Sequence, residues 1–168
     1  MGPIDLAARA LKKSRLFVLA GALCACAHLR TLTAATDALS PGEHMTLGAS
    51  YETQGLKKEA AAQYEAAAKM DSADPEAEVA LGNLAFADGD FKSAETRYLR
   101  ALKRSPRHAG AENNLAMTYL SEGIKLDEAE KLAQEALDQG GPLRPYILDT
   151  LASIRLRRSR VDAKEAKR

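Results

Sequence analysis

Residues 74–106 read DPEAEVALGNLAFADGDFKSAETRYLRALKRSP, and the spacing of their apolar side chains decides the fold. Leu81, Leu84 and Ala85 recur at helical rather than alternating intervals, and so do Leu99 and Leu102. Asp74-Pro75-Glu76 has the chemistry of a helix start: a capping acid, a proline where no N–H is needed, then a carboxylate at the positive helix end. Gly89 stands where a first helix would end in a left-handed residue. Pro106 closes the second helix. The stretch therefore predicts two helices around a glycine turn.

The same pattern recurs on both sides. Shifted by 34 residues, the chain matches itself: Leu47, Leu81 and Leu115 align, followed by Gly48, Gly82 and Ala116. Tyr51, Ala85 and Tyr119 come next, then Gly55, Gly89 and Gly123. In the second halves Ala60 pairs with Ala94, Tyr64 with Tyr98, and Ala67 with Ala101. The third copy carries one extra residue after Gly123, and Ala129, Ala133 and Ala136 then take those places. Small residues at Gly48, Gly82 and Ala116, and at Ala60, Ala94 and Ala129, let two helices approach closely while Leu and Tyr fill the space between them. Self-similarity at a fixed period of this length is the mark of a repeat array.

These residues resemble the tetratricopeptide repeat (TPR) family. Its Leu-Gly-x-x-Tyr stretch is Leu47-Gly48-Ala49-Ser50-Tyr51 here, and its later Ala, aromatic, Ala and Pro places are those just named. The family's tryptophan near the start of each first helix is absent; His44, Glu78 and Glu112 stand there. The resemblance implies an all-α helix-turn-helix solenoid over residues 41–158, with units at 41–74, 75–108 and 109–144 and a partial fourth at 145–158. Leu151-Ala152 occupies the Leu-Gly place of that fourth unit. Residues 159–168 are read as a basic C-terminal tail, and the run Arg155, Arg157, Arg158 and Arg160 as the polar outer face that a terminal repeat needs. The incomplete fourth unit could be finished by another chain, so the oligomeric state stays open.

By the same resemblance, a protein or peptide partner would lie on the concave surface lined by the first helices. The corresponding positions are Met45, Ala49 and Glu52 in the first unit, and Val79, Asn83 and Phe86 in the second. In the third they are Asn113, Asn114, Met117 and Leu120. Phe86, Met117 and Leu120 would form an apolar floor, with Asn83, Asn113 and Asn114 bonding a partner backbone. The competing reading has Phe86 and Leu120 simply packing within the array. The family's chaperone-binding subclass clamps a terminal carboxylate with lysines and arginines. Val79, Tyr146 and Thr150 stand where those charges are needed, so no such clamp is expected.

The N-terminal 26 residues read as a signal peptide. Lys12, Lys13 and Arg15 precede an apolar run, Leu16 to Ala25, that is too short to span a bilayer. Leu23-Cys24-Ala25-Cys26 resembles the lipobox of bacterial lipoproteins, which would make Cys26 the lipidated residue; Ala25-Cys26-Ala27 also fits ordinary cleavage before His28. Ala27, where an aspartate would retain the protein in the inner membrane, resembles outer-membrane sorting. The expected address is thus the cell envelope, facing the periplasm, on a lipid anchor or as a soluble protein. Residues 27–40 would link leader to repeats. Charge follows this division: residues 1–30 carry net +4, residues 31–153 net −8 and residues 154–168 net +5.

Composition excludes several alternatives. The chain has 168 residues, 28% of them charged and 46% hydrophobic, which suits one folded domain of about 100–200 residues. Two cysteines exclude a disulfide framework. His28, His44 and His108 lie at no metal-ligand spacing, and Gly140-Gly141-Pro142 lacks the lysine and glycine pattern of a phosphate loop. No catalytic residues, metal or cofactor are expected. An acidic body without aromatics among its arginines argues against nucleic acid. The layout, a leader followed by a short repeat array, is similar to that of small TPR lipoproteins that help to assemble pili or secretion channels.

Overall fold

A computed structural model of the protein describes residues 38–167. Seven helices follow one another: α1 (Pro41–Thr53), α2 (Lys57–Met70), α3 (Glu76–Ala87), α4 (Phe91–Arg104), α5 (Ala109–Glu122), α6 (Leu126–Asp138) and α7 (Arg144–Glu165). Each packs on its neighbours in sequence, and the first helices of successive units, α3, α5 and α7, also meet one another. The fold is therefore all-α, three helix-turn-helix units and the first helix of a fourth.

Local chemistry sets the helix boundaries. Ser40 closes a capping box on α1: its Oγ accepts from the Glu43 N–H, and Glu43 accepts from the Ser40 N–H at 2.7 Å. α3 begins one residue later than the sequence reading has it, with Pro75 at the N-cap place, and Asp74 just before it accepts from Glu76 N through Oδ1 at 3.0 Å. Asp90 caps α4 through Ser93 N at 3.1 Å. Gly89 and Gly123 turn first helices into second ones with φ of 76° and 72°. The extra residue of the third unit is absorbed just beyond, where Lys125 alone among described non-glycine residues adopts positive φ, 47°. Its Nζ donates to Glu95 Oε1 at 2.6 Å and to the Tyr119 hydroxyl at 3.2 Å, tying the strained turn to α4 and α5. The C-terminal helix also differs from the sequence reading. It runs beyond residue 158 to Glu165, because nothing between Arg158 and Glu165 breaks a helix.

Within each unit the two helices meet at the small residue of the first. A Cβ added to Gly48 would lie 2.5 Å from Tyr64 Cε1, and one added to Gly82 2.5 Å from Tyr98 Cε1. Both tyrosine rings are buried, so neither can swing aside at low cost. The third unit solves the same contact differently, with Ala116 and Ala133 at the aligned places, both fully buried. One partner has grown by a methyl where the other has lost a ring.

The place of the missing tryptophan is buried and polar in all three complete units. His44 is bonded to Gln63 at 2.8 Å. Glu78, only 4% exposed, takes Arg97 on Oε2 at 3.2 Å and Arg104 on Oε1 at 3.0 Å. Arg97 reaches on to Glu65 at 3.0 Å, joining α2, α3 and α4 through one guanidinium. Glu112 accepts from Gln139 at 2.6 Å. Both oxygens of Glu78 are thus paired with arginine, whereas Glu112 has a neutral donor; burial and the Glu135 carboxylate hold Glu112 above the usual carboxylate range, against weaker opposing pulls from Gln139, Arg107 and His108.

Two measurements test this packing. Gly82→Ala gains about 1 kcal/mol in helix propensity but overpacks against Tyr98 at a cost of about 1–3 kcal/mol, so the net change is destabilising. Combined with Tyr98→Ala, which recreates the third unit's pairing, the two changes should be less harmful than their sum by at least about 0.5 kcal/mol in chemical denaturation; strict additivity would contradict the close approach. The second concerns Glu112. Its raised folded-state pKa means that stability associated with the protonated form is whole below the unfolded pKa and is lost as pH rises through the folded one. Glu112→Gln should therefore melt higher than wild type at pH 7, and the difference should shrink as pH falls towards about 4. A variant that melts lower at pH 7 would show that the ionised carboxylate is a net stabiliser.

Candidate functional site

On the face shared by α3 and α5, with Tyr98 of α4 beneath, five side chains line a cavity of about 240 Å³: Asn83, Phe86, Tyr98, Asn114 and Met117. The repeat period creates it. Asn83 and Phe86 follow Gly82 on α3 by one and four residues, and Asn114 and Met117 sit three residues apart on α5, so each pair shares a helix face.

Hydrogen bonds hold the polar part in place. Asn83 Oδ1 accepts from the Tyr98 hydroxyl at 2.9 Å and from Asn114 Nδ2 at 2.8 Å. Burial pushes the Tyr98 hydroxyl's pKa up, so it remains a donor across the physiological range. The Asn83 oxygen is engaged twice, and Nδ2 of this exposed residue has no protein acceptor among the described residues. The apolar part is Phe86, whose ring meets Phe91 at 5.4 Å between centroids, and Met117, exposed beside it. No charged side chain lines the cavity. The hollow of about 320 Å³ between α6 and α7 is the opposite, lined by Asp127, Glu130, Lys131, Gln134, Glu135, Arg155 and Arg158.

Of the six groove residues read as contacts for a partner, four line this cavity: Asn83, Phe86, Asn114 and Met117. Asn113 is turned inward and 7% exposed. Its Nδ2 lies 3.4 Å from Asn114 Oδ1 and 3.6 Å from Met117 Sδ, and its Oδ1 is buried without a hydrogen bond among the described residues. Leu120 is half-buried and packs against the main core cluster. Tyr98 was not among the six; its place in the repeat marks it as a ring over Gly82, and only an asparagine one residue beyond that glycine signals that its hydroxyl has a second use. Cys26, the expected lipidation site, lies outside the described residues. Among the described residues no cluster of His, Cys, Asp and Glu could hold a metal ion, and no helix is long and apolar enough to cross a membrane.

No curated protein matches the chain in sequence. Solved structures share its fold. PilF of Pseudomonas aeruginosa aligns with TM-score 0.65 and 23% identity over 71% of this chain and 54% of that one, so this chain spans about half of it. The first TPR domain of Spaghetti (RPAP3), bound to the HSP90 peptide SRMEEVD, aligns at 0.65 and 21% over 71% and 94%. The type III secretion chaperone SycD of Yersinia enterocolitica, in complex with a peptide of the translocator YopD, aligns at 0.62 and 20% over 70% and 93%. The tetratricopeptide repeat profile matches residues 45–91 and 79–145. With that match over more than half its length and three units of the expected geometry, the chain belongs to the tetratricopeptide repeat family.

Proposed function

We propose that the protein is a non-catalytic scaffold of the bacterial cell envelope that holds an extended or helical segment of a partner protein against the α3–α5 face. The observation that carries this reading is the uncharged cavity: a fixed amide donor on Asn83 beside the apolar surfaces of Phe86 and Met117. An amide donor matches a partner's backbone carbonyl, and the apolar pair matches a side chain such as leucine or methionine. RPAP3 and SycD hold peptides on the same fold. The HSP90 peptide ends in Glu-Val-Asp, and this cavity offers no cation to such an end. Val79, where the chaperone-binding subclass needs a lysine, is buried. The occupant is therefore an internal or uncharged segment.

The leader supports a place at the membrane surface, with Cys26 lipidated and residues 27–40 as tether, facing the periplasm from the outer membrane. A multiply acylated cysteine would hold the protein stably where a single short chain would not. In this setting the scaffold serves assembly of a pilus or a secretion channel, on the analogy of layout with small envelope TPR lipoproteins.

Two experiments bear on separate parts. A Phe86→Ala, Met117→Ala double variant should capture its envelope partner from detergent extracts at least about thirtyfold less well than wild type, since two anchors each contribute more than about 1 kcal/mol. Its helical circular dichroism should be unchanged; full capture would move the site to another face. Cys26→Ala should shift the protein from the membrane fraction to the soluble periplasm. A variant that stays with the membrane like wild type would reject lipidation, and a wild type already soluble would favour cleavage before His28.

A further inference from the structure

The fourth unit exposes a face that the other three cover. In α1, α3 and α5 the places of His44, Glu78 and Glu112, and of Gly48, Gly82 and Ala116, are all buried under the second helix of the same unit. The aligned residues of α7 are Leu148 and Ala152. Leu148 is 44% exposed, Ala152 is exposed, and Leu156, one turn on, is 53% exposed. No second helix can fold back here in the usual register, because the turn glycine of the other units is replaced by Ser159, which lies inside α7. The stripe is also more apolar than its covered counterparts: leucine stands where the complete units have histidine or glutamate.

Charge identifies the occupant. At 100° per residue, Arg155 and Arg160 flank the Leu148–Ala152–Leu156 stripe on opposite sides. Arg160 has no ion-pair partner among the described residues, and Arg155, bonded to Glu130, is still largely exposed. The helix as a whole carries six Lys/Arg against three acids, so two copies of it would repel. On its covered side α7 already shows what it accepts: α6 presents Glu130 to Arg155 and to Arg158, and Asp127 to Arg158 at 2.8 Å. Size adds a further constraint. Glycine at the crossing admits a tyrosine ring in the first two units, whereas alanine is matched by alanine in the third. Ala152 belongs to the second kind.

We propose that this face of α7 docks an acidic amphipathic helix of a partner protein, seated where a fourth second helix would lie. An alanine of that helix crosses over Ala152, and its carboxylates meet Arg155 and Arg160. This surface is separate from the α3–α5 cavity.

The test uses the full-length protein and a fluorescein-labelled, helix-stapled peptide of the sequence LDEAEKLAQEALD, which is α6 itself and has the required charge and alanine face. Fluorescence anisotropy should show saturable binding. Leu148→Glu and Leu156→Glu, both at exposed positions, should each weaken it at least about tenfold. Arg160→Glu should weaken it several-fold, more so at low salt. Phe86→Ala should leave it unchanged. A peptide with tyrosine at the central alanine, the eighth residue, should bind more weakly, as should one with its acids changed to lysine. No binding up to about 1 mM peptide would overturn the proposal. So would binding indifferent to the α7 variants, which would indicate exchange with α6. Sedimentation showing a dimer that Leu156→Glu dissociates would assign the face to a second copy. Binding to phosphatidylglycerol vesicles, lost in Leu156→Glu, would assign it to a lipid surface; either result overturns the proposal.

Discussion

The contact between a small residue on each first helix and the residue that crosses it on the second sets the geometry of the whole array. At Gly48 and Gly82 a tyrosine ring lies so near that a methyl group would overlap it. That approach fixes the spacing of two helices, and the spacing fixes how far the next unit is displaced. Helix propensity alone would favour alanine over glycine by about 1 kcal/mol, so glycine persists in these helices against its intrinsic cost. The third unit shows that the constraint falls on the pair and not on either residue: Ala116 with Ala133 fills the crossing in another way.

The α3–α5 cavity depends on the same contact. The ring that packs against Gly82 carries the hydroxyl that bonds Asn83, one residue further along the same helix. Asn114, 31 residues further on, bonds the same oxygen from the next first helix. A packing ring therefore also orients the donor, and the array's rigidity is passed to the site through three side chains on three helices. Such a site needs little reorganisation on binding, which limits the entropy lost when a partner docks.

Much of this was legible because repeats compare a sequence with itself. The glycine turns and the crossing residues follow from one period, and four of the cavity's five lining residues from the groove positions that the family resemblance implies. Part of what escaped depends on pairs far apart in sequence that the period does not relate, and part on local backbone geometry that the aligned pattern does not encode. Glu78 stands in the tryptophan's place, but nothing in the period marks Arg97 and Arg104, 19 and 26 residues away, as the cations that close over it. The inserted residue of the third unit was visible, but not that Lys125 would adopt a left-handed conformation and brace itself on Glu95 and Tyr119. Asn113 and Asn114 look equivalent in sequence, yet a 100° step puts one inside and the other at the cavity. The end beyond 158 reads as a tail because it is too short and polar for a second helix; arginine is nonetheless a good helix former, and α7 continues to Glu165.

Charge is partitioned over the array so that its surfaces suit segments of different chemistry. The α3–α5 cavity has no charged lining, so its selectivity rests on shape and on a single oriented amide. The α6–α7 surface is built from ion pairs, where Glu130 is held below the usual carboxylate range by Arg155 and then Arg158. Exposed pairs of this kind contribute little stability on their own. Their consequence is one of specificity: arginines already matched by α6 on one side leave α7 positive on the other, where Leu148, Ala152 and Leu156 are uncovered. A neutral groove and a basic apolar ridge on one rigid array can hold two different segments at a fixed separation, which is the physical content of the word scaffold for this chain.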